Sequence, residues 1–223
     1  MKYSRMLIGL SIGALFACDA ANSADGRVAS RTDSVRADSI VRARQDSINR
    51  ASPGYVVDSV LPVEEELRRF RAAVGGATAT DLQHSSLSRA DLVRRFVRDL
   101  STRDSTDLRR AAIDAREFAD LVYPDSPNTR PPYRQSPAFV WMQIAGQSTS
   151  GLTRLLQRRG GQQLEYVSHA CGEKPDVQGA NRLWPKCVVR VASTAGDTTT
   201  QRLFGTIVER GGRFKFVSYA NQF

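Results

Sequence analysis

Apolar residues recur every three or four positions through most of residues 61–160, and this spacing predicts amphipathic helices. The clearest stripe runs from Leu92 to Leu100 behind Ser88, a residue type that commonly caps a helix N-terminus. The longest helix is predicted to end at Arg159, before Gly160-Gly161. The predicted helices begin after Pro62, Ser88, Asp104, Asp114 and Ser136.

After Gly160-Gly161 the apolar period changes to two, which predicts β-strands. One strand alternates from Leu164 to His169, and later strands are separated by glycine turns at Gly196 and Gly211-Gly212. Short turns between consecutive strands predict an antiparallel meander with one face buried under the helices. The predicted fold class is therefore α+β, with N-terminal helices packed on a curved antiparallel sheet.

Residues 1–18 have the pattern of a secretory signal peptide, because Lys2 and Arg5 precede an apolar run that ends at Cys18. A helix of that run reaches only about 18 Å, well short of a ~30 Å bilayer core, so we expect no stable transmembrane span. The end of the run, Leu15-Phe16-Ala17-Cys18, resembles the lipobox of bacterial lipoproteins, which implies a lipid on Cys18. The alternatives are an ordinary signal peptide with an incidental cysteine, or an uncleaved anchor.

The pattern along the chain predicts four segments. Residues 18–60 repeat Asp-Ser-aliphatic triplets at irregular spacing with mixed charge, which indicates a helical or disordered tether. The helix after Pro62 is either the first element of the domain or a partner-binding segment. The predicted segments are a signal peptide at 1–17, the lipidated cysteine and tether at 18–60, an amphipathic helix and loop at 61–86, and an α+β domain at 87–223.

Composition is that of a globular protein, with 41% apolar and 25% charged residues. The net charge of +9 comes almost wholly from arginine. A GC-rich genome accounts for this bias more simply than a polyanion site does. Because no nucleic-acid-binding motif is present, we expect no nucleic acid partner.

The cysteine count indicates an oxidising compartment. Once Cys18 carries the lipid, Cys171 and Cys187 remain as an even pair, and a disulfide between them is the simplest prediction. Closing a loop of that size stabilises a fold by about 3 kcal/mol in the chain-entropy model. These cysteines and the two histidines, His84 and His169, lack the spacing of metal ligands, so we expect no metal and no cofactor.

Three acidic residues, Asp114, Glu117 and Asp120, have a spacing that invites a catalytic interpretation. Helix capping explains the first two without any chemistry. No glycine-rich phosphate loop and no serine elbow is present in the sequence. We therefore predict no catalytic residue.

The element order and the last strand, Gly212-Arg213-Phe214-Lys215-Phe216-Val217-Ser218, resemble the nuclear transport factor two-like superfamily over residues 87–223. The resemblance implies a cone-shaped α+β roll whose pocket opens between sheet and helices. That superfamily includes isomerases, dehydratases, cyclases and binding domains without activity, so the fold does not decide the function. Of the residues that could line such a pocket, we select Trp141, Tyr166 and His169 and set aside Asp120 and Tyr123.

Period two places Tyr166 and His169 on opposite faces of their strand, so both can line one pocket only if a bulge intervenes. The sequence thus predicts a bacterial envelope lipoprotein, held on a membrane by its lipid, with an extracytoplasmic binding or interaction module. Its expected partner is a small apolar ligand or a protein. The alternative is an isomerase-, dehydratase- or cyclase-like enzyme acting on a small apolar molecule. The choice between inner and outer membrane and the oligomeric state stay open.

Overall fold

The computed structural model describes residues 24–51 and 61–221 of the chain, with the backbone alone for 24–34. Contacts divide the chain into two compact units, residues 1–60 and 61–223. The predicted signal peptide and Cys18 lie outside the described residues. None of the described helices combines the length and the apolar character needed to span a bilayer.

In the first unit, helix α1 covers Ala24–Ala51. The tether predicted from the triplets is therefore helical over this range. At roughly 1.5 Å per residue the helix is about 42 Å long. Its apolar side chains Val35, Ile40, Val41 and Ile48 are exposed, so α1 buries no apolar stripe over the part whose side chains are described.

The second unit begins with helices, and their starts match local capping signals. Ser88 Oγ accepts a hydrogen bond from the Asp91 N–H at 3.0 Å. Asp114 and Glu117 form a reciprocal capping box. A single π-helical turn, Phe118–Val122, directly follows Glu117, and two short 3₁₀ turns come next. The helices are α2 (Val63–Val74), α3 (Arg89–Thr102), α4 (Ser105–Ala111), α5 (Ala115–Glu117) and α6 (Pro137–Arg158).

Seven antiparallel strands complete the described part of this unit: β1 (Leu164–Ala170), β2 (Asp176–Gln178), β3 (Asn181–Trp184), β4 (Val188–Ser193), β5 (Thr198–Gln201), β6 (Ile207–Arg210) and β7 (Arg213–Phe216). They form a three-stranded sheet in the order β1-β4-β5 and a four-stranded sheet in the order β2-β3-β6-β7. Helices followed by antiparallel sheets confirm the α+β class.

Two details of the predicted meander are wrong. The loop between the cysteines contains the hairpin β2-β3, and β3 pairs with β6. The turns at Gly196 and Gly211-Gly212 predict one strand between them, but the structure interrupts this strand between β5 and β6. Leu203 and Phe204 are both buried there, although they are consecutive. A strand with one buried face buries only every second side chain. The interruption transfers the chain from one sheet to the other.

The interior of this unit contains two apolar clusters. In the first, Phe96 of α3 lies within ring contact of Phe204, Phe216 and Tyr219. The second gathers around Phe118 and includes Leu67 of α2. Leu67 of α2 is buried here, and Val63 and Phe70 pack against the cluster, so α2 contributes to the interior of this unit.

The predicted disulfide is confirmed. Cys171 and Cys187 are bonded, with an S–S distance of 2.02 Å. Cys187 is fully buried in the first cluster, and Cys171 packs against it from the end of β1. The bond closes the loop that carries β2 and β3, and this loop brings Trp184 to the surface of the first cluster.

Candidate functional site

A groove of about 210 Å³ runs along one face of α6. The lining residues of α6 recur at intervals of three and four, so they share one face of the helix. The opposite wall comes from the end of α4, the two residues Ala112 and Ile113, and the segment after β7. The α6 residues that line the groove are Trp141, Ile144, Ala145, Ser148, Thr149, Leu152, Thr153 and Leu156, and they face Arg109, Ala112, Ile113, Val217 and Tyr219.

Tyr219 anchors one wall of the groove. Its side chain is fully buried, its hydroxyl donates a hydrogen bond to the Leu108 carbonyl, and its ring stacks on Phe96. Burial raises the pKa of the Tyr219 hydroxyl far above its usual range. The hydroxyl therefore stays protonated and serves as a structural donor.

Close packing of α6 on that wall depends on Gly151. A Cβ at this position would collide with the Tyr219 carbonyl group, so a larger residue would push the helix away. A Cβ at Gly146, just over one turn earlier, would have no atom within 4 Å, so this glycine contributes no such contact. Glycine thus allows close packing of this helix at residue 151 and not at residue 146.

Of the three predicted pocket residues, only Trp141 lines the groove. Its ring centre is 5.3 Å from that of Phe118, and the side chain is half-buried. Tyr166 and His169 lie on β1, and neither belongs to the groove lining. The structure therefore separates Trp141 from the other two.

Tyr166 and His169 are brought together by a β-bulge. The register of β1 against β4 shifts between Tyr166 and Ser168, so the extra residue puts both side chains on one face. Tyr166 Oη lies 2.8 Å from His169 Nδ1 in a hydrogen bond. Burial, with Arg89 and Arg94 nearby, lowers the pKa of His169, so its ring is neutral near pH 7.

The acidic residues considered for catalysis stabilise the fold instead. The Asp120 side chain is 2% exposed and forms ion pairs with Arg71 at 2.7 Å and Arg116 at 2.9 Å. Glu117 is equally buried and pairs with Lys215. Asp114 accepts hydrogen bonds from the first N–H groups of α5. Each carboxylate is already occupied by structural donors.

Tyr123, the other aromatic residue that was set aside, is also structural. Its hydroxyl donates to the Gln135 carbonyl at 2.7 Å and so fastens the proline-rich segment before α6. Burial is the main cause that raises its pKa to about 12. A phenol held in this way is not available as an acid or base at neutral pH.

Arg109 is the functional candidate that the sequence did not single out. It is exposed on the last turn of α4, and it is the charged member of the groove lining. Its described polar contact is with Ser105 Oγ at 3.4 Å. No signal in the sequence distinguishes Arg109 from its neighbour Arg110.

Comparison with family models, curated proteins and solved structures found no match for this chain. The resemblance to the nuclear transport factor two-like superfamily therefore rests on the order of elements and on the last strand. Within residues 24–51 and 61–221, no group of three or more His, Cys, Asp or Glu side chains could hold a metal ion.

Proposed function

We propose that this protein is a lipid-anchored protein of the bacterial envelope whose α+β domain binds a small apolar molecule in the groove of α6. The groove itself carries this proposal, because its walls are mainly aliphatic and aromatic and Arg109 adds one charge. Pockets for drug-sized ligands usually measure about 300–1,000 Å³. A groove of 210 Å³ suits a shorter ligand, such as an acyl chain of medium length.

Arg109 supports a ligand that is apolar along most of its length and anionic at one end. No carboxylate of the described residues forms an ion pair with this guanidinium. A carboxylate head group of the ligand could accept two parallel hydrogen bonds from it. The apolar tail would then lie against Leu152 and Trp141.

Calorimetry with octanoate and octanol tests this proposal, because the two ligands share a tail and differ in charge. We expect the wild-type protein to bind octanoate more tightly than octanol. Arg109→Gln should remove this preference and leave octanol binding unchanged. Arg110→Gln, on the same turn of α4 but outside the groove lining, is the matched control. Binding of neither ligand would refute the groove as an apolar site, and an undiminished preference for octanoate in Arg109→Gln would refute the role of Arg109.

The cone-shaped roll implied by the superfamily resemblance is part of the same proposal. Two features support it. One wall of the groove, at Val217 and Tyr219, follows directly on the last strand, and the other wall is the long helix α6. The last strand also carries the Gly-Arg-aromatic-Lys sequence on which the resemblance depends.

Anchoring is supported by the sequence of residues 1–18 and by the disulfide, which suits an oxidising compartment. The helix α1 would serve as a spacer between the membrane and the domain. Cys18→Ala should move the protein from the membrane fraction to the soluble fraction of bacterial cells. If the variant stayed in the membrane fraction at the wild-type level, the lipid anchor would be refuted.

The second candidate is an isomerase-, dehydratase- or cyclase-like enzyme. The Tyr166–His169 hydrogen bond favours it, since a neutral histidine oriented by a hydroxyl can act as a general base. The pair does not line the groove, however, so a molecule bound there is not in contact with it. Binding without catalysis is therefore the function that the geometry supports better.

A further inference from the structure

We propose that Arg89, Arg94, Tyr166, His169 and Trp184 form a phosphate-binding site, separate from the groove of α6. We call these five residues the basic aromatic cluster. They come from the start of α3, from β1 and from the end of β3. The ligand is the phosphate group, supplied either as free phosphate or by the head group of a phospholipid.

Arg89 is the central donor of the cluster. Its guanidinium carbon lies 3.8 Å from the centre of the Trp184 ring. The indole N–H of Trp184 donates to Glu209 Oε2 at 3.0 Å, which fixes the ring on which Arg89 stacks. A guanidinium that stacks on an aromatic face keeps the N–H groups in its own plane free to donate. In the described residues, Arg89 has no ion-pair partner.

His169 and Tyr166 supply the second part of the cluster. Their mutual hydrogen bond uses His169 Nδ1, which leaves Nε2 of the ring for a ligand. The guanidinium carbon of Arg94 lies 5.3 Å from the centre of the Tyr166 ring. Arg89 and Arg94 both belong to α3, which packs against β1, so the two cations lie on the side of the domain that carries His169. Their charges help to lower the pKa of His169.

The charges around the cluster favour an anion. Asp91 pairs with Arg94 at 3.2 Å, and both side chains are mostly exposed. Glu209 pairs with Arg182 at 3.2 Å in addition to holding Trp184. The ion pairs of these two acids are with Arg94 and Arg182, and no described carboxylate forms an ion pair with Arg89. Donors carried by a helix and by a strand that pack against each other suit a tetrahedral oxyanion, which accepts hydrogen bonds in several directions.

The test uses the full chain with Cys18→Ser, so that no attached lipid competes for the site. The probes are inorganic phosphate and dihexanoyl-phosphatidylglycerol below its micelle concentration, at constant ionic strength. Binding is measured by calorimetry and by NMR titration of the His169 ring, with His84 as an internal reference. A bound phosphate should raise the pKa of His169, because the added negative charge favours imidazolium.

We expect Arg89→Gln to weaken phosphate binding at least tenfold and to remove the shift at His169. Arg130→Gln, an exposed arginine in the loop before α6, removes the same charge and should leave binding unchanged. His169→Gln should also weaken binding, which keeps the test informative if Arg89→Gln does not fold.

Each outcome of the two probes is decisive. Binding of inorganic phosphate alone supports the site with free phosphate as its ligand. Binding of the phospholipid alone supports it with a lipid head group as the ligand, and binding of both supports the phosphate group as the shared determinant. Binding of neither overturns the proposal, as does undiminished binding by both Arg89→Gln and His169→Gln.

Discussion

Lys215 and Glu117 form an ion pair from which solvent is almost excluded, although 98 residues separate them in sequence. Lys215 Nζ lies 2.7 Å from Glu117 Oε2 and 2.9 Å from Oε1, and the two side chains are 2% and 1% exposed. Glu117 also accepts hydrogen bonds from the backbone N–H groups of Gln83 and Asp114. One carboxylate thus joins β7, the start of α5 and the loop before α3.

We predict that Lys215→Met lowers the free energy of unfolding by about 3–5 kcal/mol, because it leaves the Glu117 carboxylate buried without its counter-charge. Urea denaturation followed by circular dichroism measures the change. Lys174→Met, at an exposed position of the loop closed by the disulfide, should change stability by less than about 0.5 kcal/mol. Adding Glu117→Gln to Lys215→Met should recover part of the loss. A loss below about 1 kcal/mol for Lys215→Met would contradict the structural role of the pair.

Asp99 gives a prediction about pH. Its side chain is 2% exposed, and Arg98 donates to Oδ1 at 2.7 Å, whereas Oδ2 receives no hydrogen bond from the described residues. Burial is the main cause that raises the pKa of Asp99 to about 6. Arg95 holds the pKa of the neighbouring Asp107 well below its usual range, so of the two carboxyl groups it is Asp99 that retains a proton.

The native state therefore binds more protons at Asp99 than the unfolded state does, between its unfolded pKa near 4 and its folded pKa near 6. This group contributes stability below pH 4 that is lost as the pH rises to about 6. Asp99→Asn should remove that dependence. Between pH 4 and pH 7, the free energy of unfolding of the wild type should therefore fall by about 1–2 kcal/mol relative to that of the variant. Chemical denaturation across this range measures the difference, with Asp81→Asn at an exposed position as the control. Parallel stability curves for wild type and Asp99→Asn would contradict the assignment.

Features set by a few neighbouring residues were predictable from the sequence. The caps at Ser88, at Asp114 with Glu117, and at Ser136 each involve groups at most three residues apart. A capping side chain needs only its own turn of helix, so the local pattern is sufficient. The disulfide was predictable for another reason: counting cysteines leaves one simple pairing once Cys18 is assigned to a lipid.

Features that depend on distant contacts were not predictable. Nothing in the strand containing Lys215 indicates that Glu117 lies opposite it in the interior, and an alternating pattern places a lysine in solvent by default. The bulge at Val167 breaks the period of two without any glycine or proline to mark it. Arg109 and Arg110 look alike in sequence, and only the position of α6 decides which of them lines the groove.

The disulfide should make a measurable contribution to stability. Replacing both Cys171 and Cys187 with alanine should lower the free energy of unfolding by about 3 kcal/mol, because the unfolded chain gains the freedom of the opened loop. Loss of packing at the fully buried Cys187 adds to this. Thermal unfolding with and without reducing agent checks the cause. Reduction should lower the Tm of the wild type and leave that of the variant unchanged; equal responses would contradict the prediction.

Two glycines on α6 provide a matched pair that links packing to ligand binding. Gly151→Ala should destabilise the protein by about 1–3 kcal/mol or more, because the added methyl group collides with the Tyr219 backbone and the helix must move. Gly146→Ala should instead stabilise it by about 0.5–1 kcal/mol, since that position is open and alanine favours helix. Tyr219 lines the groove, so the first variant should also weaken octanoate binding while the second does not. Equal stability and equal octanoate affinity of the two variants would show that α6 does not rest on Tyr219.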